Sequence, residues 1–308
     1  METILITGGT GLTGKVLSQH LVSQGFHIII LTRNKQAKSE NNNISYAYWD
    51  YKSKQIDINA ILKADHIIHL AGAGVVDHKW TDAYQQEIID SRTQTLSLII
   101  DQLRHHPHHV KSIISSSAIG WYGADKSNQE AFTETAPADN TFLGHTCQLW
   151  ESAADQAIDL GIRVCKVRTG IVLSEKGGAL TEFLKPVKMG IAAILGNGQQ
   201  TVSWIHIDDL CGIYLHLIQN KELGGAFNAV SPIPVSNKTL TISLAEIMHK
   251  RYYVPIHVPA FIIKIMMGKR SVEVLKSTTV SAEKIRKSGF TFLYPGIEVA
   301  LRQLLKKN

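Results

Sequence analysis

The residues Thr7-Gly8-Gly9-Thr10-Gly11-Leu12-Thr13-Gly14 limit what this chain can fold into more than any other stretch. Their spacing is Gly-x-x-Gly-x-x-Gly. They directly follow a short apolar run, Thr3–Thr7. They directly precede Lys15–Gln24, where Val16, Leu17, His20 and Leu21 lie at helical spacing. A glycine pattern alone is a weak signal, but between a strand and a helix it is a strong one. Gly8 permits the tight turn, Gly11 lets the backbone approach a pyrophosphate, and Gly14 lets the helix pack on the strand. With Thr10 in the turn, the N–H groups of Leu12 and Thr13 open the helix toward phosphate, where its dipole favours negative charge. The bland alternative is a plain strand–turn–helix joint.

The rest of the first half repeats this alternation. Phe26–Thr32, Ala64–Leu70, Val110–Ser115 and Val164–Val167 read as buried strands. Helical stretches near 81–104 and 144–160 separate them. Such alternation predicts an α/β fold with a doubly wound parallel sheet, covered on both faces. After about residue 175 the rhythm breaks at Gly177-Gly178, Gly190 and Gly196-Asn197-Gly198, with helices expected near 239–250 and 295–306. The expected division is an NAD(P)-binding Rossmann domain over 1–230 and a small C-terminal domain over 231–308. Residues 177–206 would contribute to a substrate lobe at the carboxyl edge of the sheet, where open α/β sheets bind ligands.

Composition narrows the function. Of 308 residues, 44% are hydrophobic and 19% charged, enough for a sizeable core. The formal charge of +6 is dispersed, and its densest run, Lys284-Ile285-Arg286-Lys287, suits a solvated helix face. No nucleic-acid reader motif appears, so no nucleic-acid partner is expected, while the mild excess favours an anionic ligand. Cys147, Cys165 and Cys211 form no Cys-x-x-Cys pair, which argues against a zinc site or a disulfide framework. No apolar run reaches transmembrane length, and no signal-peptide pattern follows Met1. A cytoplasmic protein with a small-molecule substrate, monomeric or homodimeric, is the simplest expectation.

The second strand ends Leu31-Thr32-Arg33-Asn34. An acidic residue here would bond the adenosine ribose hydroxyls of NAD, whereas an arginine pairs with a 2′-phosphate. Arg33 therefore favours NADP(H), unless it is simply a solvated charge at a loop start. Asp50 reads equally as a contact to the adenine amino group or as a turn residue. Leu70, Ala71 and Gly72, after the next strand, are small enough for the backbone to approach the middle of a cofactor.

Together these residues resemble the extended short-chain dehydrogenase/reductase superfamily, and within it the nucleotide-sugar-epimerase-like proteins of bacteria. "LITGGTGLTG" is similar to the family's glycine motif, "HLAGAGV" to the loop after its fourth strand, and "ISSSAIGWYG" to its strand-end serine motif. "SWIHIDDL" is similar to the entrance of the substrate lobe. "GFTFLYPGIEVAL", after "VPAFIIKIMMG", resembles the small C-terminal domain of this branch. The match spans nearly the whole chain. It implies a Rossmann fold and an NAD(P) cofactor. It leaves the substrate open.

Members of the superfamily use a Tyr-x-x-x-Lys pair one helical turn apart. The lysine lowers the phenol pKa and grips the nicotinamide ribose, and the tyrosine moves a proton. "WYGADK" offers this spelling in Tyr122 and Lys126, but Gly120, Gly123, Asp125, Ser127 and Asn128 predict a loop there. The family's helix falls later, where Cys147 and Glu151 occupy the tyrosine and lysine slots. A glutamate beside a thiol disfavours the thiolate. Three accounts stay open: Glu151 as an unusual acid–base group, Tyr122 as a substitute from its loop, or cofactor binding with little turnover. The bland readings are a small buried hydrophobe for Cys147 and a paired helix-surface carboxylate for Glu151.

The resemblance further implies that Ser117 orients the substrate oxygen, with Ser115 on the same strand end, and that Arg168 and Gly170 lie near the nicotinamide amide, Arg168 also buttressing the sheet. His206 reads as a substrate contact or a structural histidine, and Asp208 and Asp209 as a helix cap. The His105–His109 cluster reads as a solvated loop on the amino side of the sheet. Lys185, Lys188 and Arg270 read as phosphate contacts or exposed charges. The expected activity is that of an NADP(H)-binding oxidoreductase or epimerase with an unidentified, sugar-nucleotide-like substrate. Its rival is an NADP(H)-binding sensor or regulatory protein.

Overall fold

The apolar run at the N-terminus becomes β1 (Thr3–Thr7), whose residues from Ile4 onward are buried. This is the signature of a central parallel strand covered on both faces. The computed structural model describes residues 1–126, 130–250 and 252–306. After β1 come α1 (Leu12–Ser23), β2 (His27–Thr32), β3 (Ile44–Asp50), β4 (Gln55–Ile56), α2 (Ile58–Leu62) and β5 (His66–His69). Then follow α3 (Asp82–His105), β6 (Ser112–Ala118), α4 (Phe142–Asp155) and β7 (Arg163–Thr169). The chain next forms β8 (Ile171–Ser174), β9 (Gly177–Gly178), α5 (Ala179–Val187), β10 (Ile191–Leu195), β11 (Thr201–Val202), β12 (Trp204–His206) and α6 (Ile207–Gln219), then returns to the sheet as β13 (Gly225–Ala229). The last segment holds β14 (Val235–Ser236), α7 (Asn237–His249), β15 (Val254–Val258), α8 (Ala260–Met267), α9 (Ser271–Leu275), α10 (Glu283–Lys287) and α11 (Ile297–Leu304).

The main sheet runs β13-β7-β6-β5-β1-β2-β3-β4, and only the short β4 is antiparallel to its neighbour. From β1 the chain winds outward through β2 and β3. It then crosses back to β5 and winds the other way. The reversal between β1 and β5 makes a crevice at their carboxyl ends, the place where such sheets take ligands. Alternate residues of each strand feed separate cores, as a two-residue side-chain period requires. Ile4, Ile6, Ile28 and Ile30 pack with α1 and α6. Leu5, Ile29 and Leu31 pack with α2, α3 and α4.

β3 carries no clear apolar period in "ISYAYWD" because one of its edges meets only the short β4, leaving most of its side chains half-buried. Tyr122 closes a 3-10 turn at Ile119–Tyr122, and Gly123 follows at φ +72°. Tyr122 and Lys126 therefore do not share a helix. Ser127 and Asn128, expected in the same loop, lie outside the described residues. No helix among the described residues is long and apolar enough to cross a membrane.

The C-terminal segment is tied to the sheet's carboxyl edge by polar contacts. Asp125 N–H donates to the Ser277 carbonyl at 2.8 Å, and the Asp125 carboxylate accepts from Thr279 N at 2.7 Å and from Thr279 Oγ1 at 2.6 Å. Thr278 Oγ1 donates to the Gly123 carbonyl at 2.7 Å. β15 of this segment pairs in parallel with β10, which precedes it in the chain. α8 leaves Phe261, Ile265 and Met266 exposed.

His69, at the end of β5, pins three elements together. Trp150 Nε1 of α4 donates to its Nδ1 at 3.3 Å, so its Nε2–H is left to bond Thr95 Oγ1 of α3 at 2.9 Å. Complete burial pulls its pKa from 6.5 down to about 3. In the unfolded chain the imidazole takes up a proton below its ordinary pKa, while in the fold it stays neutral. This contribution is fully present above pH 6.5 and is lost as pH falls through about 3. We expect His69→Gln to flatten the acid side of the stability profile by up to about 1.4 kcal/mol per pH unit. Urea titrations of both proteins between about pH 5.5 and 4 would check this, and parallel slopes would refute it.

Candidate active site

The glycine motif builds a cradle at the β1–β5 crevice. Gly8 sits at φ +68°, and a Cβ there would lie 2.8 Å from the Leu70 carbonyl carbon. A Cβ on Gly14 would strike the Gly8 carbonyl oxygen. The turn is closed by Gly11 N–H donating to Gly8 O at 3.0 Å. Thr7 Oγ1 accepts from Leu70 N at 3.2 Å and Ala71 N at 3.1 Å, which locks the two loops side by side. Gly11 caps α1 without a side chain, and no acidic residue occupies the helix's first turn. The N–H groups of Leu12 and Thr13 thus meet no side-chain acceptor at the cap, and Thr10 is exposed beside them. These features fit the pyrophosphate of a dinucleotide.

Arg33 is exposed at the end of β2. Asp50 organises the turn after β3, accepting from Ser53 Oγ at 2.8 Å and Lys52 N at 3.1 Å. The Ser53 hydroxyl holds the Asp50 carboxyl below its ordinary pKa, and Arg33 contributes to the same lowering. The two residues therefore lie near one another, at the carboxyl ends of the paired strands β2 and β3.

The Cys147 and Glu151 slots of α4 lead into one buried polar network. Arg168 grips Glu151 with both arms, Nε to Oε1 at 2.8 Å and NH2 to Oε2 at 2.9 Å. Ser117 Oγ donates to Glu151 Oε1 at 2.7 Å. The NH1 group of Arg168 donates to Tyr122 Oη at 3.0 Å and the Glu134 carbonyl at 3.2 Å, and Tyr122 Oη donates to Asn228 Oδ1 at 2.6 Å. The Trp121 ring lies 3.7 Å from the guanidinium carbon. Cys147 Sγ is 3.6 Å from the Ala118 carbonyl. Burial, then the charge of Glu151, pushes the Cys147 thiol up to about 11, and burial pushes the Tyr122 phenol up to about 12.

This geometry sorts the residues that the sequence singles out. Ser117, Tyr122, Cys147, Glu151 and Arg168 converge within one cluster, and each is buried. Glu151 is paired, but it is buried and not on the helix surface as its plain reading has it. Ser115 is fully buried and its hydroxyl bonds the Ser116 carbonyl at 3.0 Å. Gly170 is held by close approach, since a Cβ there would strike the Ser203 carbonyl oxygen. The helix-cap expectation for Asp208 and Asp209 needs correction. α6 begins earlier, and its cap is His206, whose Nδ1 accepts from Asp208 N at 3.1 Å. Asp209 instead accepts from Leu293 N at 2.7 Å and Tyr294 N at 3.0 Å, anchoring the C-terminal segment. His206 is fully buried against Tyr294, the structural alternative. His105 and His106 bond carbonyls of α3 at its amino-side end of the sheet. Lys185 pairs with Glu182, Lys188 is exposed, and Arg270 donates to the Val76 carbonyl.

Three participants carry no obvious signal in the sequence: Asn228, Trp121 and Arg92. Asn228 and Trp121 are brought in by tertiary contact alone. Arg92 was legible in principle. It lies between Ile88 and Leu96 at i, i+4 and i+8 on the apolar stripe of α3, where a charge is out of place. Its guanidinium donates from NH1 to the Ile88 carbonyl at 2.8 Å and lies 5.0 Å from the Trp150 ring centroid.

Comparison with known proteins adds to this geometry. The sequence model of the NAD dependent epimerase/dehydratase family matches residues 4–230, and that of a domain of unknown function, DUF1731, matches residues 258–304. An epimerase family protein of Staphylococcus aureus is 36% identical over 309 residues, covering 100% of both chains. Among solved structures, a human epimerase family protein crystallised with NADPH superposes with a TM-score of 0.84 at 23% identity, covering 99% of this chain and 100% of that one. A nucleoside-diphosphate sugar epimerase from Corynebacterium glutamicum reaches a TM-score of 0.77 at 29% identity, covering 98% of this chain and 58% of that one.

A buried ion pair of this kind costs most when only one partner is removed, because the other charge is stranded. Glu151→Gln should therefore lower the unfolding free energy by about 3–5 kcal/mol. The charge-free double variant Glu151→Leu/Arg168→Met should retain more stability than Arg168→Met alone. Denaturant titration of the three variants checks both statements, and a double variant no more stable than Arg168→Met would refute the second.

Proposed function

The chain belongs to the NAD dependent epimerase/dehydratase family, and from that membership we propose that it is an NADP(H)-dependent oxidoreductase or epimerase acting on a small alcohol or carbonyl substrate of sugar-nucleotide-like type. The observation that carries this reading is the crevice itself: an uncapped α1 N-terminus in a glycine cradle, with Arg33 at the end of β2. Gly8, Gly11, Leu12 and Thr13 would hold the pyrophosphate, Arg33 the 2′-phosphate, and the backbone of Leu70, Ala71 and Gly72 the middle of the cofactor. The NADPH bound by the human relative supports the choice of phosphate-bearing cofactor. When bound, the cofactor would supply or accept the hydride.

The protein's own part is proton handling. In this reading Ser117 Oγ, near the end of β6, meets the substrate oxygen. Its proton already points to Glu151, which Arg168 holds as a carboxylate acceptor. An alcohol could therefore pass its proton to Ser117 Oγ while the serine proton moves to Glu151, and the reverse transfer would serve a carbonyl. Tyr122, donating to Asn228 and accepting from Arg168, is a positioning residue in this scheme. A second reading, a cofactor-binding sensor with little turnover, is favoured by one observation: Glu151 is already neutralised by a bidentate guanidinium.

Two measurements test the proposal. Arg33→Ala should weaken NADPH binding about tenfold or more, as expected for loss of a charge-assisted contact, and leave NADH binding unchanged. Fluorescence titration reads both, and equal affinity of wild type for the two cofactors would refute the preference. In a substrate screen, Ser117→Ala and Glu151→Gln should each reduce kcat by about a hundredfold with little change in KM. Unchanged turnover in both would sink the relay.

A further inference from the structure

The lysine slot of α4 holds an acid, so the charge expected beside the reactive end of a dinucleotide is missing from that helix. Arg168 does not replace it. Its Nε and NH2 are spent on Glu151, and its NH1 on Tyr122 and the Glu134 carbonyl. A second guanidinium stands nearby. Arg92, on α3, is 9% exposed, and among the described residues no carboxylate pairs with it. A guanidinium offers five N–H donors, yet among the described residues the hydrogen bond that ties this one to the protein is the single NH1 contact to Ile88 O.

A desolvated cation without a counter-charge is costly to keep. The Trp150 face, 5.0 Å away, offsets part of that cost. The direction of the remaining donors is set by what Arg92 touches. A Cβ on Gly72 would lie 2.9 Å from its guanidinium carbon, so the side chain packs on the loop that leaves β5. The Cys147 side chain, a neutral thiol, is also among its neighbours. These neighbours all belong to the β5–β6 side of the switch point, opposite Arg33 on β2. A dinucleotide crossing from β2 to β6 would meet Arg33 with its adenosine end and Arg92 with its other half.

We propose that Arg92 supplies, from α3, the cation that α4 has lost, and that it holds the ribose and phosphate of the nicotinamide half of the cofactor. A planar fork suits vicinal hydroxyls or phosphate oxygens better than a point charge. This inference rests on the cofactor reading above, and the test separates the two.

The experiment titrates wild type, Arg92→Ala, Arg92→Lys and Arg33→Ala with NADPH and with 2′,5′-ADP, which carries only the adenosine half. Thermal melts of each ligand-free protein run alongside. Arg92→Ala should weaken NADPH about tenfold or more and leave 2′,5′-ADP within about twofold. Arg33→Ala should weaken both ligands. Arg92→Lys keeps the charge and the fold, and should recover only part of the NADPH affinity. NADPH affinity within about twofold of wild type in both Arg92 variants overturns the inference, and points Arg92 toward the substrate or a purely structural role. Equal weakening of both ligands with a lowered melting temperature overturns it too. If wild type binds neither ligand, the cofactor reading fails and takes this inference with it.

Discussion

Two backbone segments touch at the centre of this protein, and the rest is arranged around that contact. The Gly8 turn and the Leu70–Ala71 loop approach so closely that a single methyl group at Gly8 would collide with the loop, and one at Gly14 would collide with the turn. Thr7 Oγ1 then bonds both loop amides. Because the two segments leave neighbouring parallel strands that wind in opposite directions, their contact fixes the crevice and sets the first turn of α1 at its floor. The site thus inherits its shape from main chain and needs few side chains to hold it open.

Around this fixed floor lies a buried polar cluster. On α4 a thiol, Cys147, and a carboxylate, Glu151, sit one helical turn apart. The carboxylate draws its partner from β7 and its serine from β6, so three elements share one desolvated network. The network is nearly self-sufficient: Arg168 makes four hydrogen bonds within it, and Tyr122 is bonded to Asn228. Polar clusters that satisfy themselves this fully hold their members in one arrangement.

The fold was legible to the extent that it follows local period. Buried strands such as "HIIILT" and the amphipathic helices announce themselves, and the glycine spacing marks the crevice because it reports backbone conformation directly. β3 was hidden because its exposed edge dilutes the two-residue pattern. The site was legible only in part. Cys147 and Glu151 could be located through the resemblance to the family's pattern, but nothing in the sequence says that Arg168, seventeen residues away, would neutralise Glu151, since that pairing depends on β7 lying beside β6. The cap of α6 was misplaced for a similar reason: Asp209 looks like a cap in one dimension, and tertiary contact with Leu293 and Tyr294 assigns it elsewhere.

The three thiols give the protein a built-in gauge of its own motions. Cys147, Cys165 and Cys211 are free and buried, and burial pushes each above its ordinary pKa, Cys147 to about 11 and Cys211 to about 12. An alkylating reagent in water meets none of them while the fold is closed. Each lies under a different element, Cys147 on α4, Cys165 on β7 and Cys211 on α6. The order in which they become labelled therefore reports which wall of the molecule opens first, and a ligand seated in the crevice would show itself as a delay at Cys147 before it changed anything at the other two.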